Sequence, residues 1–126
     1  MQTPKILLIV EDDGSIRRLA RRMLKSMEVE TVEAENGQQA LDELASNGER
    51  IHAVLTDMRL PDIQGDALAD WIRQKHPGMP VIFFSGNHLN EQARARLEEA
   101  HTFFLGKPFT RETLADVVQK AFATVV

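Results

Sequence analysis

The sequence lacks several features that would indicate a secreted or membrane-bound protein. It has no cysteine, which excludes both disulfide bonds and thiolate metal sites. No apolar run approaches the roughly 18 residues that a membrane-spanning helix needs, and the first residues do not follow the pattern of a signal peptide. We therefore expect a cytoplasmic protein that has no membrane partner.

The sequence also lacks a strong excess of positive or negative charge: the net charge is only −4, and no block of like charge stands out. Nucleic-acid binding needs a concentrated basic footprint, and short charge runs are more often a solvated helix face. We therefore expect no direct contact with nucleic acid. The basic residues cluster only mildly, at Arg17, Arg18, Arg21, Arg22 and Lys25.

Apolar residues follow two periodicities that alternate along the chain. Short apolar runs and strict alternations predict strands, whereas spacings of three and four predict helices. A helix is predicted after each strand, including one over residues 90–99, and Thr110 is the predicted N-cap of the last helix. The predicted strands cover residues 6–10, 30–34, 53–55, 81–84 and 102–105.

Strands and helices that alternate with short connections predict a parallel sheet covered on both faces. The second strand alternates polar and apolar residues, as edge strands do, whereas the first, third and fourth are continuous apolar runs. We predict an α/β fold: a doubly wound five-stranded parallel sheet of order 2-1-3-4-5 with five helices on two faces. Residues 1–126 form a single domain in this interpretation, with no output domain.

Acidic residues follow two strands that are neighbours in this order, at the sheet edge where ligands bind. Glu11 and Asp12 follow the first strand, and Asp57 ends the third; Asp13 is expected to cap the first helix. Carboxylates about 5 Å apart repel by roughly 3 kcal/mol per pair at an effective dielectric of about 20. A cation is therefore expected, and all-oxygen ligands suit Mg²⁺, with Mn²⁺ as the other candidate.

Two further polar residues follow the remaining strands at the same edge of the sheet. Ser85 supplies a hydroxyl and Lys107 a positive charge, which together with the metal would bind a phosphate dianion. A carboxylate can itself attack phosphorus and carry the phosphoryl group. Asp57 is the predicted acceptor because it ends a buried strand between the acidic pair and the lysine.

These residues lie in segments that resemble a known family. The similarity is to the four signature regions of bacterial response-regulator receiver domains, in the family's order and spacing, and is carried by ILLIVEDD, VLTDMRLPDIQG, VIFFSGN and FFLGKPF. It covers essentially the whole chain. The resemblance implies the flavodoxin-like fold of the chemotaxis regulators and a role in two-component phosphorelay signalling. A weaker similarity, from SGN to QKAF, is to receiver modules attached to hybrid histidine kinases.

The resemblance implies roles for the acids and for the residues beyond them. Asp57 would accept the phosphoryl group from a histidine kinase or phosphotransfer protein, while Glu11, Asp12 and the backbone carbonyl of Arg59 would bind Mg²⁺. Glu11 departs from the more usual aspartate and lengthens one arm of the metal site. Arg59 and Asn87 lie two residues beyond Asp57 and Ser85, where the family tunes how fast the phosphate is lost.

The resemblance also implies a conformational switch. Ser85 and Lys107 would contact the phosphoryl oxygens, and the peptide bond between Lys107 and Pro108 would be cis. Phe104 matches the family's switch aromatic, although strand alternation places Phe103 and Phe104 on opposite faces, so a core role is the alternative. An effector or a second copy would read the switch on the surface formed by the helix predicted over 90–99, the fifth strand and the last helix.

Two other functions are weighed against this one. A Mg²⁺-dependent phosphohydrolase also forms an aspartyl phosphate, but it needs a second acid beside the nucleophile, where this chain has Met58 and Arg59. A receiver-like binding module that is never phosphorylated typically lacks the aspartate, one acid of the pair or the lysine, and this chain has all of them. We therefore expect a signalling phosphoacceptor that assists its own phosphorylation, rather than an enzyme.

The histidines give no sign of a further site. They are scattered without the spacing of metal ligands, and they are interpreted as surface residues. One of them, His88, lies in the loop after the fourth strand and therefore near the expected site. The four are His52, His76, His88 and His101.

Overall fold

A computed structural model describes residues 4–85 and 101–123 of the chain. Its strands are β1 (Ile6–Val10), β2 (Glu30–Ala34), β3 (Ala53–Asp57), β4 (Val81–Ser85) and β5 (Thr102–Gly106). The helices of the described ranges are α1 (Gly14–Lys25), α2 (Gly37–Asn47), α3 (Gly65–Lys75) and α4 (Arg111–Ala123). The further helix predicted over residues 90–99 lies outside the described residues.

The five strands form one parallel sheet in the order β2-β1-β3-β4-β5, which confirms the predicted doubly wound arrangement. The alternating strand β2 occupies an edge, as expected, and pairs only with β1 within the described sheet. The register aligns Val10 of β1 with Thr56 of β3. Glu11 and Asp57, the next residues along each strand, therefore leave the sheet side by side.

Strand alternation divides the core into two layers, one on each face of the sheet. Leu7 and Ile9 of β1 point into a layer beneath α1 and α4, whereas Leu8 and Val10 point into a layer beneath α2 and α3. All four side chains are fully buried. The prediction of helices on both faces is therefore confirmed for the described helices. None of these helices is long and apolar enough to cross a bilayer.

Side-chain caps fix where α1 and α4 begin. Asp13 caps α1 by accepting the backbone N–H of Ser15 at 2.8 Å, as predicted. At the start of α4, the N–H of Thr113 donates to Oγ1 of Thr110 at 3.1 Å, and the N–H of Thr110 donates back to Oγ1 of Thr113 at 2.9 Å. This reciprocal pair confirms Thr110 as the predicted cap, three residues after Lys107, and α4 begins at the next residue, Arg111.

His52 is not the surface residue that the sequence suggested. Its ring is half-buried, and Nδ1 accepts the backbone N–H of Ile6 at 3.0 Å, at the start of β1. The ring also packs edge-on against Phe122, with ring centroids 6.3 Å apart. Burial, assisted by the charge of Lys5, lowers the pKa of the imidazole. Only the neutral ring can accept this hydrogen bond. His88 lies outside the described residues.

The His52 contact predicts a pH-dependent stability. The pKa of His52 in the folded chain is below the ordinary value of 6.5, so its contribution is complete above that value and is lost as the pH falls through the folded pKa. Urea denaturation should show a larger loss of unfolding free energy between about pH 7.5 and about pH 5 in the wild type than in His52→Gln, which keeps an acceptor without the titrating ring. Equal losses in the two proteins would contradict the assignment.

Candidate functional site

Three carboxylates meet at the carboxyl ends of β1 and β3. Oxygen atoms of Glu11, Asp12 and Asp57 lie within 4.8 Å of one another, so they could hold a metal ion together. The Glu11 side chain is only 2% exposed and that of Asp57 is 20% exposed, whereas Asp12 is exposed to solvent. The structure therefore brings together the acids that the strand order places at one edge.

Lys107 reaches this acidic group from the end of β5. Its Nζ lies 2.8 Å from Oε2 of Glu11 and 3.1 Å from Oδ2 of Asp57. The ammonium also lies 5.1 Å from the centre of the Phe84 ring, which stacks on Phe109. The peptide bond from Lys107 to Pro108 is cis, as the family resemblance implies. The lysine thus bridges two acids across the intervening strand β4.

The charges at the site are out of balance. Burial raises the pKa of Glu11, the hydrogen bond from Lys107 opposes that shift, and the charge of Asp57 adds to it. Burial alone would lower the pKa of Lys107, but its hydrogen bond to Glu11 and the charges of both acids outweigh it and raise the pKa. Lys107 therefore stays protonated. With all groups ionised, three negative charges against one positive leave an excess of two negative charges.

The loop that follows Asp57 folds back on the end of β3. The backbone N–H of Arg59 donates to Oδ1 of Asp57 at 3.2 Å, and Arg59 pairs with Gln64 in an isolated antiparallel bridge. The N–H of Gly65 then donates to the carbonyl of Met58 at 2.9 Å. A Cβ at Gly65 would lie 2.6 Å from the backbone oxygen of Asp57, so only glycine allows this close approach.

A second contact ties this loop to the start of α2. The two carboxylate oxygens of Asp62 accept the backbone N–H groups of Gly37 and Gln38, each at 2.8 Å. These hydrogen bonds lower the pKa of the Asp62 carboxyl. Sequence reasoning missed Asp62 because an acid that caps a helix from a distant loop leaves no local pattern. The only signal was an acid in the loop that follows the predicted acceptor, Asp57.

Of the remaining predicted site residues, Ser85 and Phe104 lie within the described part of the chain. Ser85 ends β4 in register with Gly106, which puts its backbone beside the residue before Lys107, while Asn87 lies outside the described residues. Phe104 packs in the layer beneath α2 and α3, with its ring centroid 5.4 Å from that of Phe83. Phe103 packs in the opposite layer, which confirms the predicted alternation of the two rings.

Comparison with known proteins agrees with the fold. A model of the response regulator receiver domain matches residues 7–119. The chain therefore belongs to the response regulator receiver domain family, as its sequence motifs suggested. The solved receiver domain of NtrX from Brucella abortus is 31% identical, with a TM-score of 0.84, and the match covers 94% of this chain and 98% of that one.

The curated relatives are longer proteins. Sensor protein TorS of Escherichia coli (strain K12) is 35% identical over 89% of this chain but only 12% of its own length. The DNA-binding transcriptional regulator NtrC of the same organism is 31% identical over 94% of this chain and 25% of its own length. The chain thus spans a quarter or less of these relatives.

The Asp62 cap predicts a stability change that depends on pH. Asp62→Ala should lower the free energy of unfolding at neutral pH, because two backbone donors at the start of α2 lose their acceptor. The folded pKa lies below the ordinary value of 3.8, so the difference from wild type should persist above that value and shrink as the pH falls through the folded pKa.

Asp62→Asn is the matched control for this experiment, since it keeps one acceptor oxygen and loses the charge. It should lower the free energy of unfolding at neutral pH by less than Asp62→Ala does. Its amide does not titrate, so it should contribute no pH dependence of its own. Chemical denaturation over a series of pH values measures both variants. A wild-type stability for Asp62→Ala at neutral pH would show that the cap contributes nothing.

Proposed function

We propose that this chain is the phosphoacceptor of a two-component phosphorelay, with Asp57 as the residue that carries the phosphoryl group. A histidine kinase or a phosphotransfer protein would be the donor. The observation that carries the proposal is the position of Lys107, which contacts both Glu11 and Asp57 at the edge where three carboxylates meet. A phosphoryl group on Asp57 would find an ammonium within reach and a cation site beside it.

The acids fit Mg²⁺, and Mn²⁺ is the other ion proposed for the site. Their oxygen donors are the kind that these hard cations prefer, and the excess of two negative charges matches a divalent ion. Glu11, Asp12, Asp57 and the backbone carbonyl of Arg59 are the proposed ligands. A bound ion would offset the negative charge on the phosphoryl oxygens during transfer.

In the proposed reaction the protein supplies the nucleophile, and otherwise it contributes positioning and charge neutralisation. A carboxylate oxygen of Asp57 attacks phosphorus as the bond from phosphorus to the donor breaks, and the donor leaves with the electron pair. The N–H of Arg59 orients the carboxylate through its hydrogen bond to Oδ1. Lys107 pairs with the transferred group, and we propose that Ser85 donates a hydrogen bond to it. The chain assists this transfer but is not proposed to be an enzyme.

Phosphorylation would then shift an equilibrium between inactive and active conformations. Ser85 and Phe104 are the proposed switch residues, read by an effector or a second copy at the helix predicted over 90–99, β5 and α4. A groove of about 570 Å³ between β5 and α4, lined in part by Phe104 and Lys120, supports this location. We propose a cytoplasmic, bacterial receiver domain over residues 1–126, passing its signal to a partner rather than to nucleic acid.

Phosphorylation by a small donor tests the proposal directly. The protein is incubated with acetyl phosphate and Mg²⁺, and its intact mass is recorded beside that of Asp57→Ala. The wild type should gain one phosphoryl group, and both the variant and the wild type without Mg²⁺ should gain none, because the acceptor or the charge compensation is missing.

Asp116→Ala is the matched control, since Asp116 is a carboxylate on α4 whose ion pair is with Lys120, away from the site. It should be phosphorylated like the wild type. No mass gain in the wild type would favour a binding module that is never phosphorylated. Sustained turnover of a phosphomonoester would instead favour a phosphohydrolase.

The exposed side chain of Arg59 is proposed to prolong the life of the aspartyl phosphate. It lies beside Asp57, where it can contact the phosphoryl group or block the attacking water. Arg59→Ala should lose phosphate faster, by about tenfold if a charged contact worth about 1.4 kcal/mol is removed. Loss of the phosphorylated mass over time measures the rate.

Arg50→Ala is a suitable control for the lost charge, because Arg50 is exposed in the turn before β3, at the opposite end of that strand. Its phosphate should be lost at the wild-type rate. A slower loss from Arg59→Ala than from the wild type would refute the proposed role of Arg59.

A further inference from the structure

Arg17 of α1 contacts the backbone of residues 11–13, the acidic loop that joins β1 to α1. Its Nη1 donates to the backbone carbonyl of Glu11 at 2.6 Å. The same guanidinium pairs with Glu33 through Nε at 3.2 Å and with Glu35 through Nη2 at 3.5 Å. The side chain is only 12% exposed. The expectation that this basic helix presents a solvated face is therefore wrong for Arg17.

The carbonyl that Arg17 holds belongs to the peptide unit between the two acids of the proposed metal site. A peptide unit is planar, so fixing the carbonyl of Glu11 also fixes the N–H and the Cα of Asp12. On the other side of Glu11, its own N–H donates to the carbonyl of Ala34 at 3.0 Å. The backbone of the acidic pair is thus held by one contact from β2 and one from α1.

The neighbouring Arg21 shows what a surface arginine of the same helix does. Its side chain is 50% exposed, and its Nη1 lies 3.0 Å from Oε2 of Glu33. Among the described residues, Arg21 forms an ion pair with Glu33 alone. Arg17 and Arg21 therefore share an anchor on β2, but only Arg17 reaches the acidic loop. A substitution of Arg21 therefore removes an ion pair with Glu33 and keeps the contact with Glu11, whereas a substitution of Arg17 removes both.

We propose that Arg17 is a positioning residue for the divalent cation: it holds the peptide plane that joins Glu11 to Asp12, so that both carboxylates face one point. This inference rests on the proposed metal site. Charge alone would have the opposite effect, since a cation near the site repels Mg²⁺. If Arg17 acted only through its charge, its removal would leave Mg²⁺ binding unchanged or tighter.

Mg²⁺ titration by calorimetry separates these two effects. Arg17→Gln should bind Mg²⁺ about tenfold more weakly than the wild type, the order expected when a contact that orients a metal ligand is lost. Arg17→Lys keeps the charge but has one ammonium in place of the fork that reaches Glu11 and Glu33 together. It should therefore also bind more weakly, and it serves as the second variant if Arg17→Gln does not fold.

Arg21→Gln is the matched control and should bind Mg²⁺ within about twofold of the wild type, because it leaves the Glu11 contact intact. Urea denaturation of each variant shows that the binding data come from folded protein. Unchanged or tighter binding in both Arg17 variants would overturn the inference and leave the proposed function standing. If the wild type and Asp12→Asn bound Mg²⁺ equally weakly, the result would contradict the proposed metal site. The proposed role of Arg17, which rests on that site, would then be contradicted as well.

Discussion

The ammonium of Lys107 lies between the carboxylates of Glu11 and Asp57, and the arrangement of the sheet edge depends on this contact. Glu11 ends up almost fully buried beside a second acid, an environment that favours its protonated form. A charged lysine at 2.8 Å opposes that tendency. The lysine must cross β4 to reach Glu11, and its ammonium lies 5.1 Å from the centre of the Phe84 ring. The aromatic ring and the two carboxylates together hold one long side chain in place.

The loops that follow β1 and β3, beside the acids, are each tied to neighbouring elements. Asp62 ties the loop after β3 to the start of α2, and Arg17 ties the loop after β1 to α1 and β2. In one case a side chain satisfies two N–H groups at the start of a helix, and in the other a loop carbonyl, which would otherwise be left to water. The positions of Glu11 and Asp57 are therefore set by the packing of neighbouring elements. The geometry of the site is a property of the whole sheet edge.

Much of this could be predicted from sequence, and the parts that could not share a physical cause. Periodicity predicted the strands and their order, and strand order placed Glu11, Asp57 and Lys107 at one edge. These inferences depend on residue type and local spacing. The contacts of His52, Asp62 and Arg17 are side-chain hydrogen bonds to backbone groups 46, 25 and 6 residues away. Their partners are peptide groups, which every residue has, so no residue type marks them.

The division of the core has a consequence for how such a domain can diversify. Phe83 and Phe84 are adjacent in β4 yet pack in different layers, one beneath α2 and α3 and the other beneath α1 and α4. Substitutions in separate layers share few neighbours, so their energetic effects should be close to additive. The surface over one layer can therefore adapt to a new partner without repacking the other. The proposed phosphoryl chemistry at the sheet edge could in this way be kept while the binding partners of the domain change.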